Sequence, residues 1–257
     1  MDEVKFLLKF GRKEHIEAFA NGGLYCSNAE TFWGIENELK LKGQGDRLEA
    51  SSKVFAQRMA IYDNDDNSLV AEVGMSNALV RYEPAKNIPI FCLFTVYAND
   101  CSVDDDGNLQ IELSDHTKQI IREHFPNADS VAIIRNPQQF LLDIEETIGC
   151  EVKHELVNYF YIDEGLPTAD GKRAIDHQYM MYLTQDVPPA VEDRKRTYSF
   201  RAKYVYRALL CKDMFFKDEQ EYRIVLPQES VSGGRLYPVK YSQKPEVVNL
   251  DDFFASV

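Results

Sequence analysis

Cysteine is scarce and never paired at close range. Cys26, Cys92, Cys101, Cys150 and Cys211 are odd in number and far apart, which excludes a disulfide framework and a CxxC ligand pair and leaves buried thiols as the expectation. Histidine is equally sparse: His15, His116, His124, His154 and His177 are scattered, so no structural zinc site is spelled out and no metal is expected. Positive charge is in deficit, with 29 Lys and Arg against 42 Asp and Glu and a net charge of -13. The average field therefore repels phosphate backbones and anionic lipid, which argues against non-specific coating of nucleic acid. Long hydrophobic runs are missing too. Residues 88–98 form the longest apolar stretch, far short of the about 20 residues that cross a bilayer, so no membrane partner is expected. The opening Met1-Asp2-Glu3-Val4-Lys5-Phe6 lacks the basic region and cleavage site of a secretory signal, and the expected location is the cytoplasm.

What is present is enough apolar material for one substantial core: 44% of 257 residues are hydrophobic, and no composition shift marks a linker, so residues 1–257 are expected to form one α+β domain. Residues 4–10 read as a strand, 12–21 as a helix stopped by Gly22 and Gly23, and 24–27 as a strand. Residues 34–50, with Gly43 and Gly45, read as a long polar loop and a candidate binding element. Strands over 53–62 and 68–74 bracket Asp63-Asn64-Asp65-Asp66-Asn67, a hairpin turn. A calcium loop is excluded there because its sixth position lacks glycine and its twelfth is Gly74 in place of a bidentate Glu.

Asp104 to Asn108 forms a second turn between a strand at 88–97 and a short one at 109–113. Ser114 caps a helix to residue 125, 130–134 is a buried strand, and Pro137 opens a helix that Gly149 closes. Residues 152–162 alternate as a strand, 165–172 form a loop, and 175–184 fit a strand or a short helix. Pro188-Pro189 breaks the chain before closing strands at 220–226 and 236–241 and a docked tail at 250–254. The expected architecture is a mostly antiparallel, twisted sheet with peripheral helices and a cleft between strands 23–27 and 220–226.

Two clusters carry chemistry. Between residues 194 and 207 the cations Arg194, Lys195, Arg196, Arg201, Lys203 and Arg207 interleave with four aromatic residues, a combination that neutralises phosphate and stacks on bases. An amphipathic helix with its rings in the core accounts for the same spacing and is preferred. Glu36, Glu38, Asp46 and Glu49 gather carboxylates that would hold magnesium in a metal-dependent nuclease. An Asp capping a helix, with the Glu three residues on reaching back, accounts for Asp46 and Glu49 without a metal.

Several motifs together resemble a large prokaryotic family of unknown function. They are Lys9-Phe10, then Gly23-Leu24-Tyr25-Cys26-Ser27-Asn28, Phe32 and Gly45-Asp46-Arg47-Leu48-Glu49. The centre adds Ser130-Val131-Ala132-Ile133-Ile134 with Phe140, and the end adds Lys212, Phe215, Phe216 and Glu219-Gln220-Glu221-Tyr222-Arg223-Ile224-Val225. The chain departs from the family pattern in having Gly45-Asp46 for Asn-Asp-Pro and Phe for Trp before the Glu-x-Glu. Some relatives lie near phage-defence genes, so the resemblance implies a context of antiviral defence. The order of elements also looks like that of NAD-dependent ADP-ribosyltransferases. That resemblance implies NAD as cofactor, with Lys9 on phosphate, Ser27 on the nicotinamide-side ribose, Tyr25 or Phe32 against a ring, and Glu221 as the catalytic carboxylate.

Three functions follow as expectations. The first is a cytosolic sensor or adaptor whose acidic surface binds a protein partner, steered by charge and weakened by salt. The second is an ADP-ribosyltransferase-like enzyme acting on nucleic acid or protein. Its oxocarbenium-like transition state needs a fixed carboxylate, and period-two alternation puts Glu219, Glu221 and Arg223 on one strand face, aimed into one cleft. The third is the nuclease. Against the second, Glu219 and Arg223 would form ion pairs on an edge strand while Tyr222, Ile224 and Leu226 pack inward.

Overall fold

The computed structural model describes residues 4–39, 46–63, 65–186, 190–192, 195–197 and 200–257, without the side chains of 36–39, 56–59, 61, 73, 75, 76, 190–192 and 195–197. It is an α+β fold on a six-stranded antiparallel sheet. The strand order is Glu246–Asn249, Ser130–Ile134, Val4–Gly11, Ile90–Tyr97, Glu221–Val225 and Lys153–Leu156. Alternation sends Leu7, Leu93, Tyr222 and Ile224 to one face. There they meet Ile16 and Phe19 of α1 (Lys13–Ala20), and Phe140, Leu141 and Ile144 of α4 (Pro137–Ile148). Phe6, Leu8, Phe10, Phe94, Val131 and Ile133 go to the other face. They pack on Ile121 of α3 (Asp115–His124) and on Leu250 and Phe253 of α6 (Leu250–Ser256). A third cluster continues that second face past Ile90 and Val225 onto α2 (Ala29–Leu39), α5 (His177–Thr184) and the 3-10 segment Ala202–Leu210. Each fully buried Leu, Ile or Phe contributes roughly 1.5–3 kcal/mol, so these three clusters hold the sheet in place.

Helix boundaries follow local chemistry. Ser114 Oγ accepts the Thr117 amide at 3.1 Å at the start of α3, and Asn249 accepts the amides of Asp251 and Asp252 at the start of α6, so each cap satisfies otherwise orphaned donors. Gly22 sits at φ 99°, and a Cβ there would lie 2.3 Å from the Val239 carbonyl oxygen. Only glycine fits that crossing from α1 into the next strand.

One irregularity in the sheet makes room for a cavity. Val4–Gly11 pairs with Ile90–Tyr97 only from Val4↔Tyr97 to Leu8↔Phe94. Beyond that point Lys9, Phe10 and Gly11 pair outward with Ala132, Val131 and Ser130, while Ile90, Phe91 and Cys92 pair with Val225, Ile224 and Arg223. The two central strands diverge there, and the isolated bridge Ser27↔Ile90 closes the far end.

Several expectations need correction. Helix α2 takes up residues 34–39 of the expected long loop; residues 40–45, with Gly43 and Gly45, lie outside the described residues, as do Asn64 and Pro188-Pro189. The hairpin is longer than expected, with strands Ser51–Tyr62 and Leu69–Arg81. Residues 152–162 divide into Lys153–Leu156 and Asn158–Phe160, the second leaving the sheet to pair in parallel with Cys211–Asp213. Residues 175–184 resolve as α5, capped by Asp176. The basic segment is no continuous helix: Lys195–Thr197 is a strand paired with Ala190–Glu192, and the 3-10 turn begins at Ala202.

Candidate functional site

The divergence of the two central strands opens a cavity of about 650 Å³ on the α1 side of the sheet. Lys9, Phe10 and Gly11 line one wall, Ile90, Phe91 and Cys92 another. His15, Ile16, Ala18 and Phe19 of α1, then Gly23, Tyr25, Ser27, Phe32, Phe125 and Leu236, complete it. Lys9 bridges the split: its Nζ donates to the Cys92 carbonyl at 2.8 Å and stands 4.6 Å from the centre of the Phe91 ring. Among the described residues that is its one hydrogen bond, which leaves two of the three ammonium donors for a ligand. Tyr25 is 60% exposed at the rim. Its ring crosses Gly234 so closely that a Cβ there would stand 2.0 Å from the tyrosine oxygen. Burial raises the thiol pKa of Cys26, to about 12, and that of Cys92, so neither is a ready thiolate.

Lys9, Tyr25, Ser27 and Phe32 line one cavity. Glu219, Glu221 and Arg223 do not join them. Glu219 ends the 3-10 turn Met214–Glu219, and Gln220 adopts a left-handed φ of 44° before the strand begins at Glu221. The even alternation expected through residue 219 is therefore broken. Glu219 and Glu221 line a smaller pocket of about 100 Å³, which Lys9, Phe10, Cys92 and Phe125 line as well, and Arg223 lines neither space. The expected cleft between strands 23–27 and 220–226 is likewise corrected, because residues 90–92 stand between them, paired with 223–225 on one side and bridged to Ser27 through Ile90 on the other.

Arg223 is fully buried and saturated. Its Nε donates to Glu221 Oε1 at 2.6 Å. Nη1 donates to Glu49 Oε1 at 2.5 Å and to the Leu209 carbonyl at 2.6 Å. Nη2 donates to Glu49 Oε2 at 2.9 Å and to Glu221 Oε2 at 3.2 Å. A guanidinium has five N–H donors, and all five are used. Lys212 continues the chain, lying 3.0 Å from Glu221 Oε2 and pairing with Glu219, whose Oε1 meets His124 Nδ1 at 2.8 Å. Burial pushes the Glu221 carboxyl up, but Arg223 and Lys212 outweigh it and hold the group below its ordinary value. This is a buried ion-pair network, not the surface ion pair of an edge strand.

Of the carboxylates Glu36, Glu38, Asp46 and Glu49, the two whose side chains are described make contacts within the protein. Residues 47–50 form a turn rather than a helix. Asp46 Oδ1 accepts the Leu48 amide at 2.8 Å, and the Glu49 carboxylate turns to Arg223 rather than back to a cap. The side chains of Glu36 and Glu38 lie outside the described residues. Asp46 Oδ2 is buried with no hydrogen-bond partner among the described residues, and burial together with Glu49 lifts its carboxyl to about 7. No three His, Cys, Asp or Glu among the described residues are placed to hold a metal ion. In the basic cluster, Arg194 and the side chains of Lys195 and Arg196 lie outside the description, and Arg201 and Lys203 are exposed. Arg207 is clamped by Asp186, at 2.7 and 2.9 Å, which removes it from the patch. No described helix is long and apolar enough to cross a membrane.

Sequence reasoning missed His15, Phe19, Phe91 and Phe125 on the cavity and His124 in the network. The i, i+4 spacing of His15 and Phe19 was a usable signal. Nothing local tells that Phe91 faces a void while Leu93 faces packed core. No protein-family model matches the chain, and no curated protein or solved structure does either.

Proposed function

We propose that this protein is a receptor for a small anionic ligand carrying a planar ring, held in the cavity over Lys9, and that it works as a sensor by binding without turnover. The observation that carries this is the composition of the wall. In a chain with 42 acidic residues, the described residues that line the cavity include a lysine, a histidine and six aromatic rings, and no carboxylate. Such a wall favours a negative group beside Lys9 and a flat apolar group against Phe19, Phe91 and Phe32. The sensor reading adds a protein partner and the antiviral context suggested by the resemblance. The net charge of -13 supports a partner with a basic surface.

A second reading, NAD-dependent ADP-ribosyl transfer, is favoured by the convergence of Lys9, Tyr25, Ser27 and Phe32. No described residue lining the cavity is a carboxylate, and Glu221 and Glu219 are engaged with Arg223, Lys212 and His124. The test is calorimetric titration with NAD, ADP-ribose, AMP and a neutral nucleoside at low and high salt, on the wild type and on Lys9→Met. Binding of an anionic ring that weakens with salt and is lost in Lys9→Met, at an unchanged melting temperature, is the expected result. Equal binding by Lys9→Met, or by the neutral nucleoside, overturns the receptor reading. Label passing from NAD to protein or nucleic acid in cell extract selects the transferase.

A further inference from the structure

The hairpin of Ser51–Tyr62 and Leu69–Arg81 is the longest pairing in the fold, and it is a ribbon of only two strands. Among the described residues no third strand pairs with it. It is also apolar where it should be polar: Val54, Tyr62, Leu69, Val70, Leu79 and Val80 are all exposed. A lone two-stranded ribbon is marginal in water, and a long open edge is a template for another strand.

The two edges are not equivalent. At its base the Ser51–Tyr62 strand lies against the body: the Phe55 ring leaves no room for a Cβ at Gly165, Lys53 pairs with Asp163, and the Ser51 carbonyl accepts the Tyr179 hydroxyl at 2.7 Å. The Leu69–Arg81 strand is the open one. Its charges are polarised. Asp63, Asp65 and Asp66 crowd the tip, drawn inward by Asx turns in which Asp63 Oδ1 accepts the Asp65 amide and Asp66 Oδ1 the Ser68 amide. Arg81 stands at the base, exposed, with its guanidinium 4.4 Å from the centre of the Trp33 ring.

We propose that a second copy of this chain occupies this edge, the two Leu69–Arg81 strands pairing antiparallel about a two-fold axis to make a four-stranded sheet. Pairing of a strand with its own copy is necessarily reciprocal, as a two-fold interface requires. Aligned end to end, Leu69 faces Arg81 of the second copy and Val70 faces its Val80. The exposed valines then become cross-strand pairs, and each acidic tip lies beside the other copy's Arg81. Like-with-like alignment would oppose tip to tip, three carboxylates against three, and is rejected.

The test is light scattering on the full chain across a concentration series, with charge swaps. The wild type is expected to dimerise, Arg81→Glu to lose the dimer, and Arg81→Glu combined with Asp65→Lys and Asp66→Lys to regain it. Val70→Lys with Val80→Lys, at exposed positions, is expected to give a folded monomer by circular dichroism. A wild type that stays monomeric up to its solubility limit overturns the proposal. So does a dimer indifferent to both the charge swap and the valine substitutions.

Discussion

On one side of the Ile90–Tyr97 strand, Arg223 spends all five N–H donors on two carboxylates and a carbonyl. On the other side, Lys9 spends one donor on the Cys92 carbonyl and lines both the small pocket of Glu219 and Glu221 and a large cavity that has no acid among its described lining residues. Both cations sit on interior strands of the same sheet. The difference teaches how to separate architecture from function among internal charges: a closed set of partners leaves nothing to offer a ligand, whereas an unfinished one beside a void does.

The sharpest way to break this comparison is to remove each cation in turn. Arg223→Leu leaves Glu49 and Glu221 buried without their partner and is expected to cost about 5 kcal/mol or the fold itself. Lys9→Met is expected to change stability by less than about 1 kcal/mol. Urea denaturation of the two variants measures both, and similar losses would erase the distinction.

Asp46 offers an intermediate effect and a sign. Its folded carboxyl titrates near 7 against an ordinary 3.8, raised by burial and then by Glu49. Between those values the folded chain keeps a proton that the unfolded chain has released, so stability from this group is full below about pH 4 and falls as pH rises toward 7. Asp46→Asn is expected to remove that slope and to stabilise the protein at pH 8 by about 4 kcal/mol. Melting temperature against pH checks it, and a parallel profile in the variant counts against the buried acid.

The smallest effect belongs to the cavity rim. A Cβ at Gly234 meets the far end of an exposed tyrosine, which can swing aside, so Gly234→Ala is expected to cost under about 1 kcal/mol. Its mark is expected in ligand affinity instead. Titration beside thermal melting separates the two, and an unmoved affinity means that Tyr25 does not frame the ligand.

What the sequence made legible was local. Ser114, Pro137 and Gly149 declare their helix ends because caps act within one turn, and residues 130–134 declare a buried strand because every position is apolar or small. Lys9, Tyr25, Ser27 and Phe32 were readable as a set only through motif order. The fate of Glu221 was not readable, because the Arg223 it pairs with is shared with Glu49 from a distant segment, Lys212 comes from another strand, and Gln220 turns the chain one residue earlier. Alternation assumes an uninterrupted strand, and one left-handed residue was enough to defeat it. The hairpin's extent was hidden for a related reason: Gly74 sits within a strand where glycine ordinarily signals an end.

The parting of the two central strands also has a mechanical side. Three strands lie on each side of the seam, and the strand pairing that joins the halves runs from Val4↔Tyr97 to Leu8↔Phe94, with the Lys9 side chain as a further tie to the Cys92 carbonyl. Each half has its own hydrogen-bond ladder, so the halves can flex about Leu8 and Phe94 without breaking a ladder within either. In amide hydrogen exchange that predicts two slow blocks with a faster seam between them. A ligand clasped by Lys9 on one half and by Phe91 on the other would act as a strut, slowing the seam without protecting any amide it touches directly.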